Sequence, residues 1–292
     1  MDPKQIINEA EKLLKPQSGL MSFFSGGSQS YRSEEATDLY IQAANQYRLM
    51  KDFDNAGKQF VKAANIQKSL KNHNDVANNL VEAYKCFKDV SPHEAIDSLS
   101  QAIHIFLTQN GQFRRAANFT LDLGELYEGI NDLPNAIKSY EQAGDYFITD
   151  NAEALSNKAF LKCADLSALS GDYNKSVELY DNIIKKSVGN SLSKWNLKDY
   201  FLKSILCILC LGDSIEASKK LNYFLSEDPS FESTREYRLI NDVLESIQQG
   251  NIDMFTDKVY EYDQFSKLDK LKTQLLLKIK NSVVEPEDDD LL

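Results

Sequence analysis

Lys158 and Lys162 stand four residues apart, a spacing that puts two ammonium groups on one side of a helix. Lys194 and Lys198 repeat the spacing. Lys85 with Lys88, and Arg114 with Arg115, place further cations earlier in the chain. Cations without an adjacent nucleophile or acid–base partner bind; they do not turn over. Their natural target is an acidic, elongated surface. Ordinary solvated lysines are the plain alternative for any one of them. The other reactive types do not assemble into a known site. Cys207-Ile-Leu-Cys210 has C-x-x-C spacing, but it lies inside an apolar helical stretch with no second ligand pair, so its thiols read as core. His73, His93 and His104 are the only histidines. No phosphate-binding glycine loop, H-E-x-x-H pair or nucleophile elbow is present. The expected class is a binding protein, not an enzyme, with no metal and no cofactor.

The chain of 292 residues has net charge −11, which argues against nucleic acid as a partner. The charge is uneven: residues 48–88 carry net +4 and 158–203 net +3, between acidic stretches. The longest apolar run, Ile205 to Leu211, is far short of the ~20 residues that span a bilayer, and the N-terminus lacks the apolar core of a leader. A cytosolic location is expected. Two short segments stand out. Ser18-Gly-Leu-Met-Ser-Phe-Phe-Ser-Gly-Gly27 sets Leu20, Met21, Phe23 and Phe24 among residues that do not hold a helix, either to cap a core or to touch something outside. Glu287-Asp-Asp-Asp-Leu-Leu292 ends the chain with acids for a basic partner and two leucines for a pocket.

The elements that must position these residues are legible from a repeat. Ala56-x3-Phe60-x2-Ala63, Ala95-x3-Leu99-x2-Ala102, Ala136-x3-Tyr140-x2-Ala143 and Ser176-x3-Tyr180-x2-Ile183 recur every 39 to 41 residues. Small residues seven apart lie on one helix face and let a neighbouring helix approach, while the large residue between them fills the groove. Partner helices fall between the blocks, around Ala36, Ala77, Ala116 and Ala159, so a helix is expected about every 20 residues. Turn chemistry precedes each block, at Lys51-Asp-Phe53, Asp132-Leu-Pro134 and Gly171-Asp-Tyr173. Ser91-Pro-His-Glu94 reads as a helix start capped by the Ser91 side chain. Strand alternation is nearly absent. The expectation is all-α: a tetratricopeptide-like solenoid of helical hairpins, with the cations on first helices that line the concave side in solenoids of this kind. After residue 190 the repeat fades and helical patterns continue over 194–211, 214–225, 230–248, 251–262 and 266–282. This gives a solenoid over 1–190 that includes the apolar loop 18–30, a helical bundle over 191–282 and an acidic flexible tail over 283–292.

The apolar loop followed by Ser30-Tyr31, Val81-Glu-Ala-Tyr-Lys-Cys-Phe87, Gly111-Gln-Phe113, Leu155-Ser-Asn-Lys158, Lys198-Asp-Tyr-Phe201 and the terminal Glu-Asp-Asp-Asp-Leu-Leu closely resemble the α-SNAP family of soluble NSF attachment proteins, above all its fungal members. The likeness runs in order along essentially the whole chain. It implies twisted helical hairpins capped by a bundle. It also implies an adaptor that lies along the assembled SNARE four-helix bundle, recruits the hexameric AAA ATPase NSF and stimulates it to take the bundle apart in vesicle fusion and protein transport. Several adaptor copies per bundle and peripheral association with membranes follow from the same resemblance. By position it makes Lys158 and Lys162 SNARE-facing; Lys85, Arg114, Arg115, Lys194 and Lys198 join them as SNARE-binding candidates from their places in the repeat. It makes Leu20, Met21, Phe23 and Phe24 a membrane-touching loop. Leu291, Leu292 and Asp290, with Asp213 and Glu245, become ATPase-docking residues. The sequence departs from the family at Leu271, where a tryptophan is common, and at Gln248 and Gln249, which thin the acidic cluster to Glu245. The alternative is a tetratricopeptide scaffold that captures short peptides in a chaperone or other assembly.

Overall fold

The computed structural model describes residues 2–15, 26–109, 111–189 and 194–284. Packing divides the chain into two compact units, residues 1–156 and 157–292. Among the described residues every regular element is helical.

The first unit comprises α1 (Pro3–Leu14), α2 (Gly26–Leu49), α3 (Phe53–Ser69), α4 (His73–Phe87), α5 (Pro92–Thr108), α6 (Phe113–Gly129), α7 (Leu133–Thr149) and the first turn of α8 (Glu153–Leu169). The connections α2–α3, α3–α4, α6–α7 and α7–α8 share one recurring turn. The second residue past the helix takes a left-handed conformation, as at Lys51 (φ 59°) and Asn131 (φ 60°). The next N–H then reaches back over the last turn, Asp52 N to Tyr47 O at 2.9 Å and Asp132 N to Tyr127 O at 2.8 Å. That same aspartate caps the following helix: Asp52 Oδ1 accepts from Asn55 N at 3.2 Å, and Asp132 Oδ1 from Asn135 N at 3.3 Å. One dipeptide therefore closes one helix and opens the next, which holds the connections short.

Ser91 departs from the expected cap. Its side chain makes no cap hydrogen bond; the hydroxyl donates to Asp54 Oδ1 at 3.0 Å and ties the start of α5 to the first turn of α3. The nearer carboxylate outcompetes the local N–H, because charge-assisted hydrogen bonds are the stronger ones.

The small-residue seam forms as expected. Ala56, Ala63, Ala95, Ala102, Ala136 and Ala143 have no exposed surface. Glycine carries the closest approaches: a Cβ on Gly57 would sit 2.5 Å from the Phe87 ring, and one on Gly124 2.9 Å from the Tyr140 ring. Burial proceeds in series. Tyr40 packs with Ala36 and Ala63; Phe60 with Phe87 and Ala95; Leu80 with Leu99 and Phe106, in three separate clusters.

The second unit comprises the rest of α8, then α9 (Tyr173–Ser187), α10 (Lys194–Cys210), α11 (Ser214–Glu227), a 3-10 turn (Pro229–Ser233), α12 (Arg235–Gln248), α13 (Ile252–Phe265) and α14 (Lys270–Val284). The helix expected from residue 230 opens at Arg235 because Asp228 and Pro229 nucleate the tighter turn, with Asp228 Oδ1 accepting from Ser230 N at 3.1 Å. Here a single cluster runs from Ala164 and Tyr180 through the whole of α10 to Leu275 and Ile279. Phe201 stacks on Phe224 with ring centroids 4.2 Å apart and meets Phe231 edge-on at 4.9 Å. Leu271 is buried in this cluster.

The division by packing falls inside α8, whereas the sequence boundary at 190 marks where the repeat fades. The difference has a physical cause: α8 and α9 still carry the repeat, yet Ala164, Ala168, Tyr180 and Ile184 belong to the same cluster as α10 to α14. Cys207 is fully buried and Cys210 half-buried, and burial pushes both thiols up to about 12, so neither is a nucleophile near neutral pH.

Candidate functional site

The candidate cations sit on the even-numbered helices α4, α6, α8 and α10, which are the partner helices of the repeat. What each one leans on differs.

In the first unit, Lys85 is exposed and donates to Glu82 at 2.6 Å, one turn back on α4; Glu82 also accepts from Arg48 of α2 at 3.0 Å. Arg114 is exposed and pairs with Asp150. Arg115 is held otherwise. Its guanidinium lies 4.3 Å from the centre of the Phe106 ring and 5.8 Å from that of Phe119, and it donates to Asn78 at 2.8 Å. With both its face and its fork occupied, Arg115 joins α4, α5 and α6 and offers less to a partner than Arg114. The acids of the same unit are partly withdrawn. Burial lifts the Asp122 carboxyl above its ordinary range, against a hydrogen bond from the Tyr84 hydroxyl.

In the second unit, Lys158 and Lys162 are exposed one turn apart on α8, and Lys158 has no ion-pair partner among the described residues. Lys198 occupies nearly the same turn of α10, with its ammonium 3.3 Å from Oε1 of Glu236 on α12. Lys194 opens α10, but its side chain lies outside the described residues.

Sequence reasoning missed the charges beneath this face. Lys203, only 8% exposed, donates to Asp165 at 3.1 Å and 3.2 Å and lies 3.4 Å from Asp199. Lys272 donates to Asp199 at 2.6 Å and lies 3.3 Å from Asp269; Tyr180 donates to Asp165. Burial would raise the Asp199 carboxyl, but the Lys203 and Lys272 ammonium groups outweigh it and hold it below the ordinary range. Burial would likewise lower Lys203, yet Asp165 and Asp199 keep it above its ordinary value. The chain links α8, α9, α10 and α14. One signal was available, a lysine inside the apolar run Phe201-Leu-Lys-Ser-Ile-Leu206.

Of the ATPase-docking candidates, Asp213 and Glu245 are exposed. Asp213 caps α11, accepting from Glu216 N at 2.7 Å, and Glu245 on α12 accepts from the Gln249 side chain at 2.9 Å. Glu245 borders a groove of about 910 Å3 between α11 and α12, lined also by Ile215, Lys219, Asn222, Leu244 and Gln248. Leu20, Met21, Phe23, Phe24, Asp290, Leu291 and Leu292 lie outside the described residues. No helix among the described residues is long and apolar enough to cross a membrane. No group of three or more His, Cys, Asp or Glu among them is placed to hold a metal ion.

Paired helices and a small-residue seam define an all-α helical-repeat protein of tetratricopeptide-like build. Comparison with known sequences gives the family. The sequence model described as soluble NSF attachment protein, SNAP, matches residues 1–284. The alpha-soluble NSF attachment protein of Saccharomyces cerevisiae is 46% identical over 290 residues, covering 99% of each chain. The vesicular-fusion protein SEC17 of Komagataella phaffii is 46% identical over 296 residues, and the human alpha-soluble NSF attachment protein 34% over 285, covering 97% of this chain and 95% of that one. The chain belongs to the soluble NSF attachment protein family. Among solved structures, a signal transduction ATPase with a tetratricopeptide repeat sensor from Pyrococcus horikoshii aligns over 96% of this chain and 44% of that one, at 13% identity and a TM-score of 0.49. Family membership does not favour the peptide-capturing scaffold.

Proposed function

We propose that the chain is an adaptor for SNARE disassembly. It binds the assembled SNARE four-helix bundle, recruits an NSF-type hexameric AAA ATPase and stimulates it, in support of vesicle fusion and intracellular protein transport. The observation that carries this reading is the family match over residues 1–284. In this role the chain hydrolyses nothing.

Exposed Lys158 and Lys162 support the SNARE-binding part, since two ammonium groups one turn apart suit a line of acids on a helical rod. Lys85, Arg114 and Lys198 add contacts that compete with the carboxylates they already pair with. At the other end of the reaction, Asp213, Glu245 and the terminal Asp290-Leu-Leu292 present acids and apolar side chains to the ATPase.

Leu20, Met21, Phe23 and Phe24 serve as a membrane foothold. Full burial of four such side chains is worth about 8 kcal/mol, and partial insertion about half of that. About 4 kcal/mol corresponds to a Kd near 1 mM, too weak to hold one copy on a bilayer. Several copies around one membrane-anchored bundle raise the effective concentration of each loop, so the foothold operates once the bundle has recruited the protein. Association with membranes is then peripheral.

The deciding experiment is capture on assembled against unassembled SNAREs, with and without NSF. Retention on the assembled bundle alone, with ATPase stimulation, supports the adaptor; equal retention on unassembled chains refutes it. Lys158→Glu with Lys162→Glu is expected to weaken capture in a salt-dependent way with helicity intact. Phe23→Ser with Phe24→Ser should slow disassembly of liposome-anchored bundles far more than of soluble ones.

A further inference from the structure

Lys198 differs from its fellow cations in the partner that holds it. Lys85 and Arg114 pair with Glu82 and Asp150, whose side chains are 32% and 28% exposed. Glu236, the partner of Lys198, has a side chain only 10% exposed, while that of Lys198 is 43% exposed. Oε1 of Glu236 faces the Lys198 ammonium at 3.3 Å and the Tyr262 hydroxyl at 3.5 Å. Its second oxygen, Oε2, is buried with no hydrogen-bond partner among the described residues. A carboxylate closed into the interior on one side thus depends on a cation that stands in the mouth of the site, open to solvent.

Two consequences follow from this geometry. A buried carboxylate is costly without a counter-charge, so Glu236 holds the ammonium inward. Seen from outside, a lysine 3.3 Å from an opposite charge presents a dipole instead of a full positive charge, and its pull on a distant anion falls accordingly.

We infer that Glu236 sets the strength of the contact that Lys198 makes with an acidic partner, acting as an internal competitor for the same ammonium. The inference rests on the reading of the even-helix cations as the surface for an acidic helical bundle. An incoming carboxylate must share the Lys198 ammonium with Glu236 or draw it away and leave Glu236 buried and unpaired. Lys198 therefore contributes less than its position on α10 suggests. Glu236 is a positioning residue that touches no partner itself. Glu236→Gln removes the competing charge while keeping shape, and the amide oxygen still accepts from Lys198 and Tyr262.

The test titrates the assembled SNARE bundle into the full chain as wild type, Glu236→Gln, Lys198→Gln and the double variant, at low and at physiological salt. Glu236→Gln is expected to tighten binding about threefold to tenfold at low salt, less at higher salt, and not at all in the Lys198→Gln background. Tyr262→Phe removes the one other donor at Oε1 among the described residues, so the ammonium is held harder and binding should weaken about twofold. It provides a readout of opposite sign should Glu236→Gln lose its helical signal. A gain that persists without Lys198, or no gain from Glu236→Gln and no loss from Tyr262→Phe while the wild type binds normally, overturns this inference alone. Failure of the wild type to bind the bundle overturns the adaptor reading and this inference with it.

Discussion

The two units bury their apolar surface by different plans. The first, residues 1–156, divides its core into three clusters among the described residues, each shared by a few successive helices. The second, residues 157–292, has one cluster that draws on every helix from α8 to α14, with a chain of buried charges through it. A core built in series makes each part answerable mainly to its neighbours, whereas a single core ties distant residues to one fate. The contrast predicts that equal insults will stay local in one unit and spread in the other.

The largest effect should come from the buried charges. Lys203→Met keeps volume but takes from Asp165 its lysine partner and from Asp199 one of two. Removing one partner of a buried pair costs about 3–5 kcal/mol. Hydrogen exchange should show protection falling across α10 and α14 together, with α3 to α5 unchanged. Loss confined to α10 alone would break the idea of a single cooperative core.

Gly57→Ala is the corresponding insult to the first unit, since the new Cβ meets the Phe87 ring at 2.5 Å. The expected cost is about 1–3 kcal/mol, read by denaturant unfolding, with lost protection limited to α3 and α4 and part of it recovered by Phe87→Leu. Spread of the loss to α6 and α7 would count against burial in series.

Acid should separate the units. Asp199 has a folded pKa held below its unfolded value of about 3.9, so its contribution is present above that value and lost as pH falls through the folded one. Asp122 has a raised pKa, so its contribution is full below about 3.9 and lost as pH rises through its folded value. Lowering pH from about 6 to about 3 should thus weaken α10 and α14 while the Asp122 region gains, measured by hydrogen exchange corrected for intrinsic rate. At the alkaline end, Lys203 and Lys272 have raised pKa values, so their contributions are full below about 10.4 and lost as pH rises beyond it.

The smallest effect lies in the turns. Several left-handed positions of the first unit hold Lys51, Lys71, Asn131 and Asn151, while the second uses Gly171, Gly212 and Gly250. Lys51→Gly should stabilise by up to about 1 kcal/mol, and Gly212→Ala should destabilise by about the same. Thermal melts of both variants check the sign.

How much of this was legible depended on whether partners are near in sequence. The seam at Ala56, Ala95 and Ala136 and the turns at Lys51-Asp-Phe53 and Asp132-Leu-Pro134 follow from local spacing, and the structure forms them as expected. Ser91 was misread because its stronger partner, Asp54, belongs to another helix. The Lys203 network joins residues from four helices, which no local pattern encodes. Among the candidate site residues, the spacing of Lys158 and Lys162 already put them one turn apart on one helix, but the confinement of Arg115 between Phe106 and Phe119 required the packed helices.

The paired turn residues, one left-handed and the next a cap, have a mechanical consequence. Each such dipeptide is a stiff, short joint between two rods that touch along small side chains. Pulled at its ends, an array of this build is expected to be ductile, releasing one pair of helices after another with modest peaks of force. The single core of the second unit is expected to be brittle, holding to a high load and then giving way at once. Optical tweezers on the isolated chain would read this as a staircase followed or preceded by one large step.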